Sequence, residues 1–258
     1  MRVVLFYLGD YPVRSYGIVV VLAILLSIGI ARYLARETVY REHISSFAVT
    51  AIISALFGAR LWEVLFFQWE YYSSRPLVIL AIWNGGLSIQ GAIVGGIFSA
   101  IYYTWRHKLS FWDFADTLAP AVVFGQGIGR IACFLNGDAF GSPTGSNFGI
   151  VYPEGTIAYE RYGSQPLWPA EIWEGQWDFI IFGILVAMKT RNLPKGILFV
   201  TYQALYALGR FALEFLRGDT PRYWLDWTAA QWTSFAIIVL MSMFAIAIIF
   251  REKRGHVS

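Results

Sequence analysis

The chain has 258 residues, of which 57% are hydrophobic and only 14% charged, with a mean hydropathy of +0.53. A soluble domain carries about 25% charge, so the composition excludes water as the main solvent. The net charge of +3 comes without a basic block, which excludes a nucleic-acid partner, and the single Cys133 excludes an intramolecular disulfide.

A helix needs about 20 apolar residues to cross a bilayer. The first such run, Ser15–Ala35, follows a mixed stretch rather than a basic one and ends without a small-residue cleavage site. It is therefore expected to be a retained span and not a signal peptide. Six further spans are predicted at Ser46–Phe67, Gly85–Trp105, Phe114–Leu135, Glu171–Met188, Gly196–Leu216 and Gln231–Phe250. Phe114–Leu135 contains Pro120 and several glycines, so a kink or break is expected there. Glu171–Met188 is short and carries Asp178. The eleven Trp, fifteen Tyr and twenty Phe suit helix ends lying in aromatic belts.

With the N-terminus outside, the inside segments hold eleven Lys and Arg and the outside segments six, Arg2 among them. That bias predicts an N-out, C-in topology, and the basic tail after Phe250 then reads as an inside anchor. The expected fold class is all-α: one integral membrane domain over residues 1–258, a polytopic bundle of about seven transmembrane helices. The longest connection, residues 136–170, lies outside between spans four and five. It is rich in Gly, Pro and Tyr and reads as a folded extracytoplasmic cap. The three histidines, His43, His107 and His256, are far apart, so no metal site is expected.

Charges inside predicted spans stand out: Arg60 in the second, Arg130 in the fourth, Arg210 with Glu214 in the sixth. Each costs about 2.5–3.5 kcal/mol at a bilayer centre, so they are expected to face a cavity or each other. In the N-out topology all three arginines fall in the outer halves of their helices. Arg60–Glu63 and Arg210–Glu214 are spaced as self-satisfied i, i+3 and i, i+4 pairs, whereas Arg130 has no acid at helical spacing before Asp138. Guanidinium forks at a shared depth point to an anionic lipid headgroup. The glycines at 85–86, 91, 95–96, 125, 127 and 129 read as close helix packing or a helix break. A transporter, the competing class, requires polar residues continuing to the inner face, and the inner ends of these spans are apolar.

Three segments together resemble the prolipoprotein diacylglyceryl transferase family. Gly129-Arg130-Ile131-Ala132-Cys133-Phe134-Leu135-Asn136-Gly137-Asp138-Ala139-Phe140-Gly141 is similar to the family's G-R-x-G-N-F-x-N-x-E-x-x-G. Trp83 through Gly96 resembles W-x-G-G-[ML]-S-x-H-G-G-x-x-G, and Tyr206 through Arg217 resembles Y-x-x-x-R-x-x-x-E-x-x-R. Weaker matches are Tyr16-Gly17, Gly58-Ala59-Arg60, Pro169 with Glu174, and Arg106-His107-Lys108. The resemblance implies a multi-pass enzyme of the bacterial cytoplasmic (inner) membrane, acting on its extracytoplasmic side. Such enzymes move the diacylglyceryl group of phosphatidylglycerol onto the lipobox cysteine of a preprolipoprotein signal peptide. No cofactor, metal or nucleic acid is implied, membrane lipids are partners, and a monomer is expected.

By motif position the resemblance gives Arg130 the lipid phosphate, and Arg210 the departing group with Glu214 orienting it. Tyr16 and Tyr206 supply hydrogen bonds, and Arg60, Asn136 and Gly141 join the substrate-binding set. The chain departs from the pattern at four places. Gln90 stands where the family has His, and an amide is no base. Cys133 replaces Asn, as a small packed residue or a reactive thiol. Asp138 replaces Glu, and Trp168-Pro169-Ala170-Glu171 replaces His-Pro-Ser-Gln. The base is then expected at Asp138, Glu171 or Glu214, or else the chain is a relative that binds the headgroup without forming a thioether.

Overall fold

The computed structural model describes every residue except Arg2, Asn192 and residues 256–258, so Arg2 and His256 lie outside the described residues. Helices dominate, and they follow the apolar runs closely. Helix α1 is Ser15–Leu34, α2 Arg41–Trp62, α3 Trp69–Ser74, α4 Ile89–Arg106 and α5 Phe111–Asn136. They are followed by α6 Ile157–Tyr162, α7 Ala170–Lys189, α8 Ile197–Leu213 and α9 Ala229–Gly255.

Four helical stretches are long and apolar enough to cross a membrane: Ser15–Leu34, Arg41–Phe67, Phe111–Asn136 and Ala229–Phe250. Their outward faces stay apolar. Val21, Leu22, Leu25 and Leu26 on α1, and Leu240, Met243, Ile246 and Ile249 on α9, are all exposed. A helix apolar all round with few packed neighbours requires lipid around it. The other three predicted spans coincide with α4, α7 and α8, which are shorter or more polar: α8 has 17 residues, and α7 carries Glu171, Glu174 and Asp178.

Two expectations need correction. Pro120 lies inside one continuous 26-residue helix, not at a break. The chain also holds strands, β1 Val4–Leu8 and β2 Tyr11–Arg14, paired antiparallel with Leu8 opposite Tyr11. The turn between them is Gly9-Asp10, and Gly9 takes the positive φ (61°) that a tight hairpin turn requires.

The chain packs as two compact units, one formed by residues 1–31 and 115–258, the other by residues 32–114. In the second unit α2 and α4 cross with their backbones almost touching. A methyl group at Gly58 would lie 2.4 Å from the Gly91 carbonyl oxygen, and one at Gly95 2.2 Å from that of Ser54. These glycines serve helix packing. Beyond α2 the helix widens into a π-helical turn, Glu63–Phe67. The chain then runs through α3 and two short 3₁₀ turns, Pro76–Leu80 and Ile82–Asn84, into α4.

In the first unit the core is Ala119 and Val123 of α5, Ile181 and Leu185 of α7, and Leu198 and Tyr202 of α8. Asp116 of α5 accepts from the first free amides of α8, Gly196 N at 2.6 Å and Phe199 N at 2.8 Å, and so caps that helix. Helix α1 reaches α5 where Gly125 leaves room for Ser27. The connection between α5 and α7 is folded around Phe140, Tyr152, Ala158 and Leu167. Its first part is stitched to the chain after α8 by Ser142 N→Leu216 O (2.7 Å) and Gly218 N→Phe140 O (3.1 Å).

Candidate active site

Helix α7 carries a buried stripe at residues 171, 174, 178, 181 and 185, the spacing of one helix face. The lower two positions are Ile181 and Leu185, and the upper three are acids. An acid in that stripe must find a cation or a donor, and the middle one, Glu174, finds three arginines. Arg130 of α5 lies 2.7 Å from its Oε2, Arg210 of α8 contacts its Oε1, and Arg217 beyond α8 lies 3.7 Å from Oε2.

Two close approaches bring these helices into register. Gly175 lets the Arg130 stem cross α7, since a methyl group there would lie 3.1 Å from the Arg130 Cβ. Gly209 makes room for the Trp177 indole, whose Nε1 donates to Leu205 O at 2.9 Å. That contact seats Arg210, the next residue, against α7.

The arginines are held to different degrees. Arg217 is fixed by paired bonds to Asp219 at 2.8 and 2.6 Å and is buried. Arg210 also reaches Glu214 at 2.9 Å, the i, i+4 pair expected from sequence. Glu214 is fully buried on the 3₁₀ turn that ends α8, and Thr228 donates to it at 2.8 Å. Gln231 in turn holds Thr228. Arg130 has the Glu174 ion pair and no hydrogen bond among the described residues, and Glu174 Oε2 accepts none. The Arg130 and Arg210 side chains keep 19% and 17% exposure. Both therefore present an open edge from an otherwise buried knot.

Around this knot the structure gathers several predicted residues. Asn136 donates to Asp138 at 2.6 Å, and the Asp138 amide closes back on Cys133 O. Cys133 is half-buried. The Tyr16 hydroxyl, on the first turn of α1, feels the charges of Asp138 and Arg130, and Tyr206 lies one turn before Arg210 within the field of Arg130. Glu171 is fully buried and accepts the Tyr152 hydroxyl. Burial first, then the charge of Glu171, pushes the Tyr152 hydroxyl above its ordinary value, which keeps it a donor.

Other predicted residues do different work. Gly141 is a packing residue: a methyl group there would lie 2.2 Å from the Trp168 carbonyl oxygen, and its strand bridge is to Arg217. Arg60 belongs to the second unit and is tied to the backbone around it. Its Nε donates to Ile79 O, one terminal nitrogen to Tyr72 OH, Gly85 O and Gly86 O, and the other to Val78 O and Ala81 O. No N–H is left for a lipid, and the expected Glu63 pair does not form, since Glu63 accepts from Gln68 instead. Gln90, also of the second unit, is exposed and accepts from Ser88 Oγ at 2.6 Å.

The residues missed from sequence are Glu174 as the hub, Arg217, Asp178, Thr228 and Gln231. The signal for the first was the 171-174-178 spacing in an apolar helix.

Residues 3–248 match the family model described as prolipoprotein diacylglyceryl transferase. The phosphatidylglycerol–prolipoprotein diacylglyceryl transferase of Acaryochloris marina is 37% identical over 84% of this chain and 80% of its own length. Those of Bacillus licheniformis and Clostridium botulinum are 34% and 35% identical, over 97% and 98% of this chain and 93% and 100% of theirs. The match over residues 3–248 and these identities over most of each chain lead to one statement: the chain belongs to the prolipoprotein diacylglyceryl transferase family.

Proposed function

We propose that this chain transfers the diacylglyceryl group of phosphatidylglycerol to the cysteine thiol of a prolipoprotein. The observation that carries the reading is Arg130, held by the Glu174 carboxylate alone among the described residues and partly exposed, beside a second half-open guanidinium. A phosphodiester fits the free edges of both forks. As the glyceryl carbon–oxygen bond breaks, charge builds on the phosphate, and fixed cations stabilise that charge most. Glu174 and Glu214 hold the forks at rest and orient them.

In this reading Arg130 binds the phosphate and Arg210 follows the leaving group. Tyr16, Tyr206 and Asn136 supply hydrogen bonds around them. The thiol must lose its proton to attack. Of the three acids expected as base, Glu171 is engaged by the Tyr152 hydroxyl and Glu214 by Thr228 and Arg210, while Asp138 is partly exposed beside Cys133 and Asn136, so Asp138 takes that role. Gln90 cannot accept a proton and contributes at most a hydrogen bond. We assign the chain seven spans, N-out and C-in, with residues 136–170 as an extracytoplasmic cap over a site facing the same side. It acts as a monomer in the bacterial inner membrane on lipobox-bearing signal peptides.

The test is direct. Purified protein is incubated with phosphatidylglycerol vesicles and a lipobox peptide, and the peptide is weighed by mass spectrometry. The diacylglyceryl adduct is expected. Its absence, with a working relative alongside, leaves headgroup binding as the better reading.

A further inference from the structure

Asp178 is the acid of the α7 stripe that has neither a part in the reaction above nor a structural partner. It is 1% exposed, and its Oδ2 accepts no hydrogen bond among the described residues. Glu171 and Glu174 each also have one oxygen that accepts no hydrogen bond, but Glu171 holds the Tyr152 hydroxyl and Glu174 the arginines, whereas Asp178 has neither hydrogen bond nor ion pair among the described residues. Asp178 sits one turn below Glu174 on the same face, beneath the point where Arg130 crosses at Gly175. The charged and titratable groups facing it are Arg130 from α5, Glu174 from its own helix and Tyr202 from α8. Tyr202 cannot satisfy it, because its hydroxyl donates to Gln126 at 2.7 Å. An interior carboxyl oxygen left unbonded costs about 1–3 kcal/mol, and such an oxygen calls for a specific explanation. A proton on it, or a ligand against it, removes the cost.

We infer that Asp178 is the proton donor to the leaving phosphate, placed behind the arginine that binds it; the inference rests on the transferase reading. The step balances within one turnover. The sulfur–carbon bond forms and the carbon–oxygen bond breaks, leaving its electron pair on the phosphate oxygen. That oxygen takes the proton from Asp178. The thiol proton, accepted by Asp138, passes to solvent, and solvent reprotonates Asp178. Glycerol phosphate therefore leaves with the single negative charge that phosphatidylglycerol brought.

The test compares wild type, Asp178→Asn and Asp178→Glu in the adduct assay across pH, with phosphatidylglycerol binding measured separately. A proton donor makes the wild-type rate fall as pH rises through its titration. Asp178→Asn, the same shape without a proton to give, is expected to slow transfer about 100-fold. It should also abolish that limb of the profile and leave lipid binding intact, while Asp178→Glu restores most of the rate. An Asn variant within threefold of wild type, or one that keeps the limb, overturns the inference. So does one that loses lipid binding in proportion, because that marks a structural role. A wild type that forms no adduct defeats the transferase reading itself, which an active wild type with an indifferent Asp178 does not.

Discussion

Arg60 and Arg130 are both arginines near the ends of apolar helices, and the two units treat them oppositely. Arg60 gives its donors to five backbone carbonyls and one tyrosine hydroxyl. Arg130 has one carboxylate at 2.7 Å and no hydrogen bond to any other group among the described residues. Backbone carbonyls are fixed by the chain around them and cannot be exchanged for a ligand without unfolding that chain. A side-chain carboxylate can turn away and cede its place to a phosphate. A guanidinium surrounded by carbonyls is thus a structural tie, and one held by a carboxylate at an open edge is available for chemistry.

The sharpest way to break this contrast is to remove the hub. Glu174→Ala leaves Arg130, Arg210 and Arg217 facing one another without their shared anion. It is expected to cost about 3–5 kcal/mol of stability, read as a fall in thermal unfolding temperature in detergent. An unchanged unfolding temperature would show that the knot is already screened. Next come the open arginines: Arg130→Ala and Arg210→Ala should each cut turnover about 10²–10³-fold in the adduct assay. Arg130→Lys should recover little of it, because an ammonium lacks the fork. Full rescue by lysine would reduce the role to charge alone.

Arg60→Ala is the counterpart in the second unit. It frees several carbonyls at once and should lower stability by about 2 kcal/mol, while turnover per folded molecule stays within threefold. A selective loss of turnover would return Arg60 to the substrate-binding set. The smallest effect is expected from Gly175→Ala. Its methyl group would press on the Arg130 stem at 3.1 Å, and a shift of a few tenths of an ångström should slow transfer about tenfold, since positioning errors are amplified in the rate.

The long helices were legible because lipid demands long apolar runs: four of the seven predicted stretches fall on helices long and apolar enough to cross a membrane, and the other three on shorter or more polar helices. The hairpin at residues 4–14 was not, because strands of five and four residues carry too little pattern to register against a membrane signal. At the site, Arg130, Arg210 and Glu214 announced themselves as charges in apolar company. Glu174 did not, although it has the same character, because its importance comes from cations 44 residues before it and 36 and 43 after it in the chain. The surroundings of Arg60 were hidden for another reason. Its partners are carbonyls, which every residue has and no sequence displays.

The central claim is that Arg130 is held loosely in order to bind phosphate while Arg60 is held tightly in order to build the fold. Adduct formation by Arg130→Ala and Arg60→Ala, measured side by side on equal amounts of folded protein, tests it most directly. The account predicts that the first makes almost no diacylglyceryl peptide and the second makes nearly as much as wild type. Equal losses in both, or a productive Arg130→Ala, would contradict it.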